Sequence, residues 1–214
     1  KSAGVFLGYD FHLGEGGPKL IEINTNAGGA LLNAKLACAQ SICCRQFAGL
    51  LSGGRDLERD FVAMFREEWR LARGDAPLSR IAIVDEAPAT QYLVPEFELF
   101  RRLFEAHGIA AIIVDPGELC FDGQRLSCAG QTVDLVYNRL TDFALDEPRN
   151  QALREAYLAD AVVLTPHPRA HALYADKRNL VALTDESWLI EAGVGEVERQ
   201  LLLSGIPQTQ VVTP

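Results

Sequence analysis

The sequence has no long hydrophobic run, and its longest uninterrupted apolar stretch is Ile109–Val114. A membrane-spanning helix needs about 20 predominantly apolar residues, so no membrane partner is predicted. No basic and apolar leader opens the chain, which begins at Lys1 without an initiator methionine. We therefore expect no secretory signal, and we expect the chain to be a processed product or a fragment.

Clusters of positive charge and paired cysteines are also missing. The net charge of −9 and the absence of a Lys/Arg cluster argue against nucleic acid as a partner, although nucleotide binding needs only a few local cations. The cysteine count is odd, and no C-x-x-C pair or disulfide spacing joins the five: Cys38, Cys43, Cys44, Cys120 and Cys128. We expect reduced thiols in a cytoplasmic protein and no zinc site.

Apolar strands alternate with amphipathic helices along the chain. The predicted strands are 5–13, 19–24, 80–85, 109–115, 133–138 and 161–164, with a hairpin at 119–128. The predicted helices are 30–51, 56–73, 96–107, 148–160 and 170–184. This alternation predicts an α/β fold with a mostly parallel sheet. The Gly74–Pro77 stretch is typical of a linker, so a second unit is expected to begin after it.

The first predicted hairpin carries polar side chains among apolar ones. With the turn centred on Gly16, the expected cross-strand pairs are Asp10–Glu22, Phe11–Ile21, Tyr9–Ile23 and Leu13–Lys19. Because side chains alternate across a sheet, Asp10, Glu22 and Asn24 share one face. The opposite face is expected to enter a core, and its members are Tyr9, Phe11, Ile21 and Ile23.

Opposed carboxylates require a proton or a cation. Directly paired residues have Cβ atoms roughly 4.5–5.5 Å apart, so ionised Asp10 and Glu22 would repel each other. The Asn24 amide adds a neutral oxygen, and such a set suits Mg²⁺ or Mn²⁺. A solvated polar face is the alternative. Gly28 and Gly29 stand at a predicted helix start, where backbone N–H groups favour an anion, and together these features indicate a phosphate ligand.

These motifs resemble those of the ATP-grasp superfamily. Tyr9-Asp10-Phe11, Glu22-Ile23-Asn24-Thr25 and Gly28-Gly29 resemble its metal-binding strand pair, with Ala27 where proline is common. Asp176–Leu180 and Gly205–Thr209 resemble the passage that leads into the ATP-binding lobes, and Asp134–Arg139 resembles an Asp-x-Val-Tyr-x-Arg strand. The early position of Glu-x-Asn is similar to the order in circularly permuted members, such as the synthetase domain of glutathionylspermidine synthase.

The resemblance implies three regions and a function. Residues 1–76 would be a fragment of the ATP-grasp C-terminal lobe, 77–185 a parallel α/β pre-ATP-grasp domain, and 186–214 the lead-in to an ATP-binding lobe. The implied function is part of an ATP-dependent carboxylate–amine ligase that acts through an acyl phosphate, with a small-molecule acid and an amine as substrates. No Walker-type loop is present, so the lobe that completes the site is expected outside these residues or lost.

The resemblance also implies the roles of individual residues. Asp10, Glu22 and Asn24 would hold Mg²⁺ or Mn²⁺, while ATP would contact the cofactor-binding residues Gly28, Gly29 and Lys177. An ordinary surface lysine is the alternative for Lys177. The rival functions are a non-enzymatic binding module with a remnant metal site and a metal-dependent phosphotransferase.

Arg139 is the candidate catalytic residue. It follows a predicted parallel strand, where α/β sheets bind ligands, and its guanidinium could hold a substrate carboxylate. A salt bridge to Asp142 or Asp134 is the alternative. Asp85 and Glu86 stand at the end of another predicted strand, so the same argument from location makes them candidate ligand-binding residues. His167 and His171 lie four residues apart without an evident third metal ligand.

Overall fold

The computed structural model describes residues 2–43 and 56–212, and the side chains of all of these except 41–43. The protein is mixed α/β and divides into two compact units. One comprises residues 1–4 and 28–168 and is called the sheet unit; the other comprises residues 5–27 and 169–214 and is called the hairpin unit. The end of the predicted helix 30–51 and Cys44 lie outside the described residues.

Strands and helices are labelled in chain order. The strands are β1 (Gly8–Gly14), β2 (Gly17–Asn24), β3 (Arg80–Val84), β4 (Ala110–Val114), β5 (Leu119–Phe121), β6 (Leu126–Cys128), β7 (Gln131–Thr132), β8 (Leu135–Asn138) and β9 (Val163–Thr165). The α-helices are α1 (Ala30–Cys43), α2 (Leu57–Arg73), α3 (Val94–Ala106), α4 (Gln151–Leu158), α5 (Pro168–Tyr174), α6 (Asn179–Leu183), α7 (Glu186–Glu191) and α8 (Glu196–Gly205). None of these helices combines the length and the apolar character that crossing a bilayer requires.

The sheet unit is built on a parallel sheet in the order β4-β3-β8-β9. Its central strand β3 is buried from Ile81 to Val84, as a strand covered on both faces should be. The expected α/β fold with a parallel sheet is therefore confirmed. A small antiparallel sheet, β5-β6-β7, contains the hairpin predicted at 119–128.

Helix α2 belongs to the sheet unit. Phe65 is fully buried, and its ring lies 5.1 Å from that of Phe104 and 4.9 Å from that of Tyr137, centroid to centroid. The indole of Trp69 also donates to the carbonyl of Ala76 at 2.6 Å. Residues 74–77 therefore connect a helix and a strand within one unit. The compact units do not follow the predicted ranges 1–76, 77–185 and 186–214, because aromatic packing joins α2 to the sheet across this connection.

The helix predicted over 170–184 is two helices, α5 and α6. Between them the carboxylate of Asp176 accepts a hydrogen bond from the backbone N–H of Arg178 at 2.8 Å. An Asp side chain that binds nearby backbone competes with the helical hydrogen bonds. This local turn separates the two helices and places Lys177 in the connection.

The hairpin β1–β2 keeps the predicted pairing only at its open end. Tyr9 pairs with Ile23 and Asp10 with Glu22, but a bulge after Asp10 shifts the register, so Phe11 pairs with Leu20. The predicted pairs of Phe11 with Ile21 and of Leu13 with Lys19 were wrong, since Leu13 pairs with Pro18. The turn is tighter than predicted, since Gly14 pairs with Gly17, whose φ of +87° suits glycine. One extra residue in β2 reconciles this turn with the pairing at the open end.

The apolar face of the hairpin is largely exposed. Tyr9, Phe11 and Ile21 are 52%, 53% and 45% exposed, so the prediction that they enter a core was wrong. Within the described residues this sheet has two strands, which are too few to cover a face by themselves. Ile23 is half-buried, and it lines a small cavity with Tyr174.

Candidate metal and ligand sites

Two acidic residues are paired on one face of the hairpin unit. Asp10 and Glu22 are direct partners across β1 and β2, and Asn24 lies two residues beyond Glu22 on the same face. The Asn24 amide donates to Asp10 Oδ2 at 3.4 Å. Asp10 is exposed, while Glu22 and Asn24 are half-buried. The structure therefore brings together the three residues that the sequence suggests as metal ligands.

Lys177 lies beside this group. Its Nζ atom is 3.2 Å from Glu22 Oε1, and its side chain is 69% exposed. An exposed ion pair of this kind contributes about 0–1 kcal/mol. The lysine thus offsets part of the negative charge without holding Glu22 firmly, and its charge is available to another anion.

The hairpin residues fit a hard divalent ion as a partial set of ligands. Two carboxylates and an amide oxygen are the ligand types that Mg²⁺ and Mn²⁺ prefer, and such ions usually complete their coordination with waters or phosphate oxygens. A protein-only site with three His, Cys, Asp or Glu side chains is not found among the described residues. A metal held by these three residues would need waters or phosphate oxygens to complete its coordination.

An internal carboxylate occupies the start of helix α1. Glu96 Oε2 accepts from the N–H of Gly29 at 2.6 Å, and Oε1 accepts from the N–H of Leu31 at 2.9 Å. Glu96 is 1% exposed. A helix start attracts an anion, as the sequence indicates, but the bound anion here is a side chain of the same unit. ATP contacts at Gly28 and Gly29 stay a prediction and would require Glu96 to move.

Arg139 lies next to this helix start. A Cβ atom on Gly28 would lie 3.0 Å from Arg139 Nη2, so glycine leaves room for the guanidinium. Arg139 is buried, and its guanidinium carbon lies 5.5 Å from the Tyr137 ring centroid. Of the carboxylates considered as alternative partners, Asp134 accepts from the N–H groups of Ser79 and Arg80, and Asp142 accepts from the Glu147 N–H and the Asn150 amide.

Three parallel strands of the sheet unit are each followed by a charged residue, at the edge of the sheet formed by their carboxyl ends. Asp85 follows β3, Asp115 follows β4 and Arg139 follows β8. Burial raises the pKa of Asp85, although the backbone N–H of Glu86 and the charge of Arg139 oppose this shift. The pKa of Asp115 is lowered because the N–H groups of Ala87 and Gly117 donate to it. This edge has the location and the charge of a ligand site.

The two histidines four residues apart have different neighbours. The ring of His167 packs against Gly4, where a Cβ atom would lie 2.0 Å from the imidazole. His171 Nδ1 instead lies 3.0 Å from the Thr25 hydroxyl in the hairpin unit, and burial lowers the pKa of this histidine. His171 thus supports the residue that directly follows the Glu-x-Asn strand.

No protein-family model and no curated protein matches the chain. The ATP-grasp relationship therefore rests on the motifs and stays a hypothesis. The site residues that the motifs did not reveal are Glu96 and Asp115. Glu96 contacts backbone 67 residues earlier in the chain, and local periodicity carries no sign of such a distant pairing.

We predict that Glu96→Gln lowers the free energy of unfolding by about 1.5–3 kcal/mol, the range for hydrogen bonds to charged groups. The amide presents one oxygen where the carboxylate presents two, so a buried N–H at the start of α1 loses its acceptor. Urea unfolding measures the loss. The matched control is Glu98→Gln on the same helix, since its half-buried ion pair with Arg101 lies at the surface and contributes about 0–1 kcal/mol. Equal losses of unfolding free energy in the two variants would contradict the role of Glu96 as the acceptor for the backbone N–H groups at the start of α1.

We predict that Asp85→Asn stabilises the protein at pH 7. Because the folded-state pKa is raised, the stability contributed by Asp85 is fully present below its unfolded pKa and is lost as pH rises through the folded pKa. The asparagine variant avoids this loss, so its advantage should shrink as pH falls from 7 towards 4.

We predict that Asp122→Asn, in contrast, destabilises the protein at pH 7. Backbone donors lower the pKa of Asp122, so its contribution is present at pH 7 and is lost as pH falls. Urea unfolding at several pH values compares both variants with the wild type. If both substitutions changed the free energy of unfolding at pH 7 in the same direction, the opposite pKa shifts assigned to Asp85 and Asp122 would be refuted.

Proposed function

We propose that the chain is part of an ATP-dependent carboxylate–amine ligase of the ATP-grasp type, which uses Mg²⁺ or Mn²⁺ and an acyl-phosphate intermediate. The supporting observation is the hairpin face, where Asp10 and Glu22 are paired and Asn24 donates to Asp10. The Glu-x-Asn order with a following Gly-Gly pair supports the same reading. The acid and amine substrates are small molecules.

Asp10, Glu22 and Asn24 would present oxygen ligands from one side of the nucleotide. The metal, when bound, would neutralise the triphosphate and the charge that develops as the γ-phosphoryl group transfers. Lys177 would contribute as a mobile cation. In the free protein its ammonium neutralises Glu22, and after loading it would be released to an ATP phosphate.

Arg139 and Asp85 would form the acid-binding part of the sheet unit. A buried guanidinium recognises a carboxylate by paired hydrogen bonds. Asp85 limits how much positive charge this edge carries before the substrate binds. Attack of the substrate carboxylate on the γ-phosphorus would release ADP, and attack of the amine on the acyl phosphate would then release phosphate and form the amide.

A binding module without catalysis is the second candidate. Glu96 favours it, because this side chain already accepts from the N–H of Gly29, one of the two glycines that the ligase proposal assigns to ATP. In such a module the hairpin carboxylates would be the remnant of a metal site. Substituting them would leave the affinity for nucleotide unchanged.

We predict weak, metal-dependent ATP binding by residues 1–214, measured by calorimetric titration with Mg²⁺ or Mn²⁺. Glu22→Ala should weaken this binding at least about tenfold, or 1.4 kcal/mol, because one of two charged ligands is removed. The matched control is Glu15→Ala at the turn of the same hairpin, which removes the same charge outside the proposed site and should leave the affinity unchanged.

Two outcomes would contradict the ligase proposal. One is wild-type binding that is independent of the metal, and the other is equal binding by the Glu22→Ala protein. ATP turnover coupled to an acid and an amine is expected from a polypeptide that contains a closing ATP lobe in addition to these residues. Glu22→Ala should abolish that turnover.

A further inference from the structure

Three arginines lie on one face of helix α2. They are Arg59, Arg66 and Arg70, and their spacings of seven and four residues place side chains above one another on an α-helix. All three residues are exposed. Because acidic residues stand between them along the chain, only the folded helix brings this positive charge together.

A groove of about 410 Å³ runs along this face, and we call it the arginine groove. His107, which directly follows α3, lines the groove opposite α2 in the same sheet unit. The volume lies within the range of roughly 300–1,000 Å³ that is typical of small-molecule sites. The lining residues on α2 are Arg59, Val62, Ala63, Arg66, Glu67 and Arg70.

The lining of the arginine groove carries an excess of positive charge. Among the described residues that line it, Glu67 is the single carboxylate, and Arg70 donates two hydrogen bonds of 2.7 Å to it. This pair is neutral, so the charges of Arg59 and Arg66 stay unbalanced within the groove. Two positive charges match a phosphate monoester, whose charge at pH 7 is about −1.5 to −2.

The two unbalanced guanidinium groups are held differently. Arg66 Nη2 donates to the carbonyl oxygen of His107 at 2.9 Å, so a neutral acceptor positions this cation without cancelling its charge. Within residues 2–43 and 56–212 the Arg59 side chain has no hydrogen bond or ion pair. Ala63 lies one turn from each arginine, so only a methyl group separates them on this face. The groove therefore offers one positioned and one available cation to the same anion.

The charge of the whole chain favours a small anion over a large one. Nucleic acid or an anionic membrane contacts a wide surface, and the net charge of −9 would repel either of them beyond the groove. A small ligand contacts the groove alone. Guanidinium groups present planar pairs of donors that match the oxygens of a phosphate group.

We propose that the arginine groove binds a small molecule that carries a phosphate monoester, with Arg59 and Arg66 in contact with the phosphate oxygens. Ala63 would contact the part of the ligand next to the phosphate. This inference is independent of the proposed ligase, because the groove contains none of the residues assigned to metal, ATP or acid substrate.

NMR titration of isotope-labelled residues 1–214 with phenyl phosphate tests the proposal. EDTA is included so that a metal-dependent site on the hairpin makes no contribution. We expect saturable binding at least tenfold tighter than the binding of benzoate, which has the same ring and a single negative charge. Absence of saturable binding, or equal affinities for the two compounds, would overturn the proposal.

Arginine variants test the location of the site. Arg59→Gln and Arg66→Gln should each weaken the binding of phenyl phosphate at least tenfold, because each removes one of the two unbalanced charges. Arg59 makes no side-chain contact within the described residues, so its variant should keep the fold and report on the ligand alone. The matched control is Arg125→Gln, which removes an exposed arginine elsewhere in the sheet unit and should leave the affinity unchanged.

Two further outcomes would overturn the proposal. Equal weakening by Arg125→Gln and Arg59→Gln would show a response to net charge without a site. Binding to vesicles that contain phosphatidic acid, if phenyl phosphate failed to compete with it, would assign the groove to a membrane surface.

Discussion

The pairing of Asp10 with Glu22 across the hairpin is the constraint on which the functional account depends. The two strands of the hairpin hold these carboxylates directly opposite each other, and the bulge falls after the pair, so it leaves their alignment intact. Positive charge nearby favours the ionised form of two neighbouring carboxylates. The structure supplies part of it through Lys177 and a weak donor through Asn24. A divalent ion with phosphate ligands would supply the rest.

The buried acids of the sheet unit make a useful contrast. Glu96 accepts two backbone N–H groups, and Glu68 accepts the N–H groups of Ala3 and Gly4 together with the hydroxyl of Thr165. Their donors come from fixed backbone and from a neighbouring side chain, as is typical of acids that stabilise a fold. Asp10 and Glu22 instead face an amide and an exposed ammonium. The difference in donors separates structural carboxylates from candidate ligands within one acidic chain.

The sequence predicts the local features well, because they follow from short-range periodicity. The parallel strands are continuous apolar runs, and the pairing of Asp10 with Glu22 follows from alternation about a glycine-rich turn. The bulge beside Phe11 was not predicted, because the observed turn pairs Gly14 with Gly17 and so shifts the register by one residue. The clamp of Glu96 on Gly29 and the packing of Phe65 on Tyr137 join distant segments, and no local pattern encodes such pairings. The exposed Tyr9 and Phe11 show that an apolar strand face requires a covering layer before it becomes a core.

The most direct measurement of the central claim is a crystal structure of residues 1–214 grown with Mn²⁺ and a non-hydrolysable ATP analogue, with anomalous scattering used to locate the metal. The account predicts a manganese peak roughly 2.0–2.6 Å from oxygens of Asp10 and Glu22, with the Asn24 side chain turned towards the ion. It also predicts that Lys177 has left Glu22 for a phosphate. A peak elsewhere, or a nucleotide bound with the Lys177–Glu22 pair intact, would contradict the assignment of this hairpin as the metal site.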